Sequence, residues 1–142
     1  MTKPPFWQVG LVVQNIEEAQ EELTRALGVE WCEIAELSNE WDYRLVLSRQ
    51  GPPYIELLEG PPGSPWDATQ GSRMDHFAIW TDDVAAERRR LEAAGLPVDW
   101  DGQALGRPVN YHSAPQCGIR IETVDSSMKA NLSERFGLED MG

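Results

Sequence analysis

Residues 6–13, Phe-Trp-Gln-Val-Gly-Leu-Val-Val, alternate along a β-rich run, which predicts a strand. Asn15 then offers an N-cap oxygen with Glu18 three residues on, and Ile16, Ala19, Leu23, Ala26 and Leu27 recur at helical spacing before Gly28. A helix from Asn15 to Leu27 follows, stopped by a glycine free to turn left-handed. Three further strands are expected at about 30–37, 43–49 and 54–59. The second half repeats this order, with a strand at about 75–81, a helix at about 83–94, and strands near 97–100, 109–113 and 118–124. Residues 126–142 are polar and read as a terminal helix or a loose tail.

The order β-α-β-β-β therefore occurs twice, and the spacing agrees. Gln8 to Gly28 spans 20 positions and His76 to Gly95 spans 19; Gln8 to Glu56 spans 48 and His76 to Glu122 spans 46. Two matching intervals point to an internal duplication. Gly60-Pro61-Pro62-Gly63-Ser64-Pro65 suits neither a helix nor a central strand, so the modules are 5–59 and 74–125, with a linker at 60–73 and a tail at 126–142. At 142 residues the chain suits one α+β domain. Either half alone would be marginal, so the modules are expected to share an interface or to exchange partners in a dimer.

Composition narrows the partners. A formal net charge of −12 argues against nucleic acid and anionic membrane, both of which need basic patches. Arg88-Arg89-Arg90 reads as a solvated face balancing Glu87 and Glu92. Cys32 and Cys117 lie far apart without a CxxC pair, as expected of reduced thiols in a cytoplasmic protein. No apolar run approaches the ~20 residues of a membrane span, and no signal-peptide core follows the first residues.

Four metal-capable side chains stand at corresponding places in the two halves: Gln8, Glu56, His76 and Glu122. Strand parity sets Trp7, Val9, Leu11 and Val13 on one face and Phe6, Gln8, Gly10 and Val12 on the other. Glu56 lies opposite Ile55 and Leu57, His76 opposite Phe77 and Ile79, and Glu122 opposite Ile119 and Ile121. All four heads are thus expected to point away from the helices. Two carboxylates, an imidazole and an amide oxygen offset a divalent cation's charge, and suit Zn²⁺, Ni²⁺, Co²⁺ or Mn²⁺ rather than a thiolate zinc site.

These residues, in this order, resemble the vicinal oxygen chelate superfamily, the glyoxalase, bleomycin-resistance and extradiol-dioxygenase group. The likeness covers roughly 5–125 and rests on Trp7-Gln8-Val9-Gly10, Tyr54-Ile55-Glu56-Leu57-Leu58-Glu59, Asp75-His76-Phe77-Ala78 with Thr81-Asp82-Asp83, and Gly118-Ile119-Arg120-Ile121-Glu122. It implies two modules forming a partly open, eight-stranded barrel-like sheet, with metal ligands on the first and fourth strand of each. On this chain those are Gln8, Glu56, His76 and Glu122, a set that resembles that of glyoxalase I. The stretch from Ile55 to His76 is also similar to methylmalonyl-CoA epimerase, whose members commonly have His where Gln8 stands and Gln where Glu56 stands.

The resemblance implies a metal-dependent isomerase, epimerase or lyase that stabilises an enediolate or enolate of a small substrate with neighbouring oxygens. Glu122 would shuttle the proton, and Glu56 would hold the opposite side. Two rivals share the scaffold. A metal-free binding or resistance protein is suggested by six Trp residues, which suit an aromatic cleft. An extradiol-type dioxygenase would need two His and one carboxylate. Arg44, Arg120 and His112 are candidate substrate contacts, and a homodimer is expected from size and family habit.

Overall fold

In the computed structural model, which describes residues 2–142, eight strands form one mixed sheet curled into a half-barrel and accompanied by three helices. The strands are β1 (Gln8–Val12), β2 (Ala35–Ser38), β3 (Asp42–Leu47), β4 (Tyr54–Glu59), β5 (Arg73–Thr81), β6 (Val98–Asp101), β7 (Val109–Ala114) and β8 (Ile119–Asp125). The helices are α1 (Ile16–Leu27), α2 (Val84–Ala93) and α3 (Lys129–Phe136). The sheet order β2-β3-β4-β1-β5-β8-β7-β6 is two copies of one arrangement joined at their inner edges. β1 runs parallel to β4 and β5 parallel to β8, while β1 and β5 pair antiparallel at the centre. One chain therefore brings both modules to a shared seam.

The local signals act as expected. Asn15 Oδ1 accepts from the Glu18 amide at 2.8 Å, and Gly28 closes α1 at φ 69°, where its amide donates to Thr24. Asp83 caps α2 through the Ala86 amide. Arg88 pairs with Glu92 and Asp101, and Arg90 with Glu87, so the arginine triplet is largely neutralised on the helix's own surroundings. The second strand is shorter than the expected 30–37, because Trp31 makes only an isolated bridge to Ser48 before β2 begins at Ala35.

α1 packs on β3 and β4, where Val13, Ile16, Val46 and Leu57 are buried together. α2 lies over β7 and β8. The other face of the sheet carries two more apolar clusters, one around Trp7, Leu47, Tyr54 and Val124, the other around Val12, Leu58, Trp66 and Tyr111. Two expectations are corrected here. Trp7 precedes β1, so alternation starts only at Gln8, and Trp7 turns to the same side as Gln8 while Phe6 stacks on Phe77. On β3 it is Val46 that faces α1, so Leu45 and Leu47 turn to the inner face. The inner face is apolar because residues 126–142 are not loose: α3 and the segment after it bury Phe136, Leu138 and Met141 against it. The Tyr54 hydroxyl donates to the Asp140 carbonyl, and Trp80 Nε1 donates to the Met141 carbonyl at 2.7 Å. Among the described residues, no helix is long and apolar enough to cross a membrane.

Candidate functional site

Gln8, Glu56, His76 and Glu122 come from β1, β4, β5 and β8, the four central strands, and meet on the inner face. His76 is fully buried and Gln8 is 1% exposed, which removes solvent as a partner for either. His76 Nε2 stands 3.4 Å from Glu56 Oε1 and 3.6 Å from Glu122 Oε1. Gln8 Oε1, Glu56 Oε1 and His76 Nε2 are buried and make no hydrogen bond. Buried polar atoms are ordinarily satisfied, so three orphans at one place mark a site built for something else to bind.

A divalent cation fits that description. Two donors held about 2.1 Å from one ion at tetrahedral angles are themselves roughly 3.4 Å apart, close to the separations around Nε2. The donor chemistry also suits it, with two carboxylates, one imidazole and one amide oxygen. Among the described residues no three His, Cys, Asp or Glu side chains are grouped to hold a metal ion by themselves, so a cation here would need Gln8 as a ligand as well.

The imidazole is aimed by a relay that strand parity conceals. β1 and β5 shift register between Gly10 and Leu11: Gly10 pairs with His76, but Leu11 pairs with Met74, leaving Asp75 over. That irregularity brings the Asp75 carboxylate beside its own neighbour's ring, with Oδ2 at 2.8 Å from His76 Nδ1. Arg120 donates to the same Oδ2 at 2.7 Å and to the Pro65 carbonyl at 2.8 Å. A proton on Nδ1 facing Asp75 leaves Nε2 turned to the two glutamates. Gly10 makes room: a Cβ there would stand 2.1 Å from His76 Cε1.

Charge distribution follows. Burial opposes ionisation of Asp75, yet His76 and Arg120 overcome it and hold its carboxyl at about 2. Burial likewise opposes a charged His76, but Asp75, Glu56 and Glu122 raise the ring to about 10. Glu122 is pushed up to about 7, chiefly by burial and with Glu56 adding repulsion, while His76 and the Tyr111 hydroxyl pull the other way. The Tyr111 hydroxyl is itself fixed by accepting from Trp66 Nε1 at 3.1 Å. Asp75, Tyr111 and Gly10 were not singled out in the sequence. Adjacency to His76 was the one available sign for Asp75, and alternation argued against it.

The three candidate substrate contacts are placed differently. Arg44 lies with Val46 on the α1 side of β3, held at 2.6 Å by Glu17 and at 2.8 Å by Glu59, and so staples α1 to the sheet. Leu45 and Leu47 occupy the inner face that it would have needed. His112 is fully buried away from the four heads, with Nδ1 at 2.9 Å from the Leu96 carbonyl, while its neighbour Tyr111 takes the inner face. Arg120 is at the site, but it is committed to Asp75, to Asp99 at 3.2 Å, and to the Tyr111 ring at 4.2 Å. It supports the relay.

Two cavities open on Glu56 and Glu122. One, of about 250 Å³, runs past Trp7, Gln8 and Leu47 toward α3. The other, of about 280 Å³, runs past Tyr43, Trp66 and Trp100.

Comparison with known proteins agrees with this geometry. A sequence model of the Glyoxalase/Bleomycin resistance protein/Dioxygenase superfamily matches residues 7–111. No curated protein matches the sequence. Among solved structures, a hypothetical protein from Bacillus halodurans C-125 superposes with a TM-score of 0.67 at 18% identity, covering 85% of this chain and 93% of that one. Methylmalonyl-CoA epimerase from Mycobacterium tuberculosis gives 0.62 at 18% identity, covering 93% and 96%. A mutant 4-hydroxymandelate synthase from Streptomyces coelicolor gives 0.65 at 21% identity, covering 87% of this chain but 38% of that one. At such identities the likeness is one of fold.

Proposed function

This chain belongs to the glyoxalase/bleomycin resistance protein/dioxygenase superfamily, and from that footing we propose that it is a divalent-metal-dependent epimerase or isomerase acting on a small substrate with neighbouring oxygens. The observation that carries the reading is the convergence of Gln8, Glu56, His76 and Glu122 on the inner face, where the buried Gln8 Oε1, Glu56 Oε1 and His76 Nε2 make no hydrogen bond. Gln8, Glu56, His76 and Glu122 would hold the ion. Zinc, nickel, cobalt or manganese held there supplies the positive charge that stabilises negative charge developing on the substrate oxygens.

The protein's own groups supply the rest. Glu122, which lines both cavities beside Glu56, would take a proton from the carbon beside a carbonyl and return it. Glu56 approaches from β4, across the central β1–β5 pair, and holds the other side of the substrate. Asp75 and Arg120 keep His76 turned so that Nε2 faces inward. The inner apolar surface limits water around the enolate or enediolate.

Proton exchange tests this directly. Metal-loaded protein in D₂O, offered 2-oxo thioesters, hemithioacetals and acyl-CoAs, is expected to exchange the proton beside the carbonyl of at least one. Glu122→Gln should lower that exchange by 10²–10⁴-fold with an unchanged circular dichroism spectrum. Exchange that survives Glu122→Gln would overturn the assignment.

A second reading, small-molecule binding without chemistry, is favoured by the aromatic-lined cavity and needs no metal. Ring-cleaving dioxygenation is disfavoured by geometry, because His112 faces away and one imidazole alone reaches the site.

A further inference from the structure

We infer that the substrate carries a flat aromatic group, which lies in the cleft between Tyr43, Trp66 and Trp100 while its neighbouring oxygens sit between Glu56 and Glu122. The inference takes the position of those oxygens from the function proposed above. The aromatic cleft itself is a separate observation.

The cleft is contiguous with the reacting end, since Glu56 and Glu122 line the same cavity as Tyr43, Trp66 and Trp100. Trp66 is fixed in place. It is buried, stacks on Tyr43 at 4.2 Å between ring centres, and donates to the Tyr111 hydroxyl. Trp100 stands 6.0 Å from Trp66, tilted by 59°, and lines the cavity beside it. Tyr43 and Trp100 are each half-buried, presenting ring surface to the cavity. Arg107 closes the rim over Trp100 at 5.5 Å and is neutralised by Glu40.

Size agrees with an aryl group. An apolar cavity of about 150 Å³ accepts benzene, so about 280 Å³ takes an aryl ring with a short two-oxygen head. Charge points the same way. A nucleotide-bearing thioester needs cations for its phosphates, whereas Arg107, the arginine that lines this cleft, is tied to Glu40.

Two hydroxamates form the test, because both present adjacent oxygens and differ only in phenyl against methyl. On cobalt-loaded protein, calorimetry is expected to show benzohydroxamate binding at least tenfold tighter than acetohydroxamate. Trp100→Leu and Tyr43→Leu should each reduce that ratio to within threefold while leaving acetohydroxamate affinity in place. Equal affinity of the two hydroxamates for the native protein would overturn the inference and leave the metal reading standing. A third arm uses 2-naphthol on EDTA-treated protein, read by tryptophan quenching. Naphthol binding that Trp100→Leu weakens, with neither hydroxamate binding, would sustain the aromatic cleft and sink the metal reading. Naphthol that fails to bind, or binds equally to Trp100→Leu, would sink the cleft.

Discussion

Adding one methyl group at Gly10 should disable the site from behind. The Cβ of Gly10→Ala would stand 2.1, 2.3 and 2.6 Å from Cε1, Nε2 and Nδ1 of His76. Ordinary carbon contacts are about 3.5 Å, so the ring must retreat by roughly 1.4 Å. It has nowhere to go: His76 is fully buried, bonded to Asp75 at 2.8 Å, and edge-on to Tyr111 at 5.1 Å. Gly10 sits in β1 without a positive φ, so alanine in open space would favour folding by about 0.4–1 kcal/mol. Overpacking costs about 1–3 kcal/mol and wins. A net loss of about 1–2 kcal/mol lowers Tm by roughly 3–10 °C. Cation affinity should fall about 10–100-fold, the effect of disturbing a ligand's supporting shell. Urea unfolding with EDTA and competition against a chromophoric chelator read the two effects. The double variant Gly10→Ala/His76→Ala isolates the contact, since without the ring the added methyl should cost less than about 0.5 kcal/mol. Gly10→Ala with native stability and native cation affinity would refute the reasoning, as would an equal penalty in the His76→Ala background.

Asp75→Asn should cost about 3 kcal/mol by removing the carboxylate that the fully buried His76 and Arg120 share, read by urea unfolding. The same relay sets a pH profile in EDTA: Asp75, held below its usual value at about 2, contributes stability above roughly pH 4 that is lost toward pH 2, while His76, raised to about 10, contributes stability below roughly pH 6.5 that is lost as pH passes 10. Maximum stability between those limits is expected, and a flat profile would count against the relay. Phe136→Ala should cost about 3 kcal/mol, measured by thermal unfolding, because the ring is buried against Trp7 and Leu47. Arg44→Ala should cost no more than about 1 kcal/mol and leave substrate exchange within threefold, because the guanidinium faces α1.

What the sequence made legible was whatever repeats at a fixed period. The caps of α1, the strands at 54–59, and the shared face of Glu56, His76 and Glu122 followed from helical spacing and alternation. Alternation failed where the chain departs from period two: at Trp7, which precedes β1, and at Asp75, where the β1–β5 register slips by one residue. It also could not tell which face of β3 meets a helix, since Leu45 and Val46 are both apolar. Arg44 and His112 were misplaced: Arg44 stands on the face of β3 that meets α1, and His112 on the face of β7 turned away from the four heads. For the tail the helical alternative holds over Lys129–Phe136, and Phe136, Leu138 and Met141 reach the core.

The central strand pairing also constrains which residues stand behind the site. Across the central antiparallel pair Gln8 faces Ala78 and His76 faces Gly10, so each metal-capable side chain is backed by the residue two places after its counterpart. At one of those positions a ring lies 2.1 Å from where a Cβ would be, so the residue backing His76 must have none. At the other, a flexible amide tolerates the methyl of a fully buried Ala78. Glycine at position 10 and alanine at position 78 are thus consequences of placing histidine in the second module and glutamine in the first. A variant exchanging the heads, Gln8→His with His76→Gln, should fail to bind a cation unless Ala78→Gly accompanies it, a requirement that chelator competition on the double and triple variants would reveal.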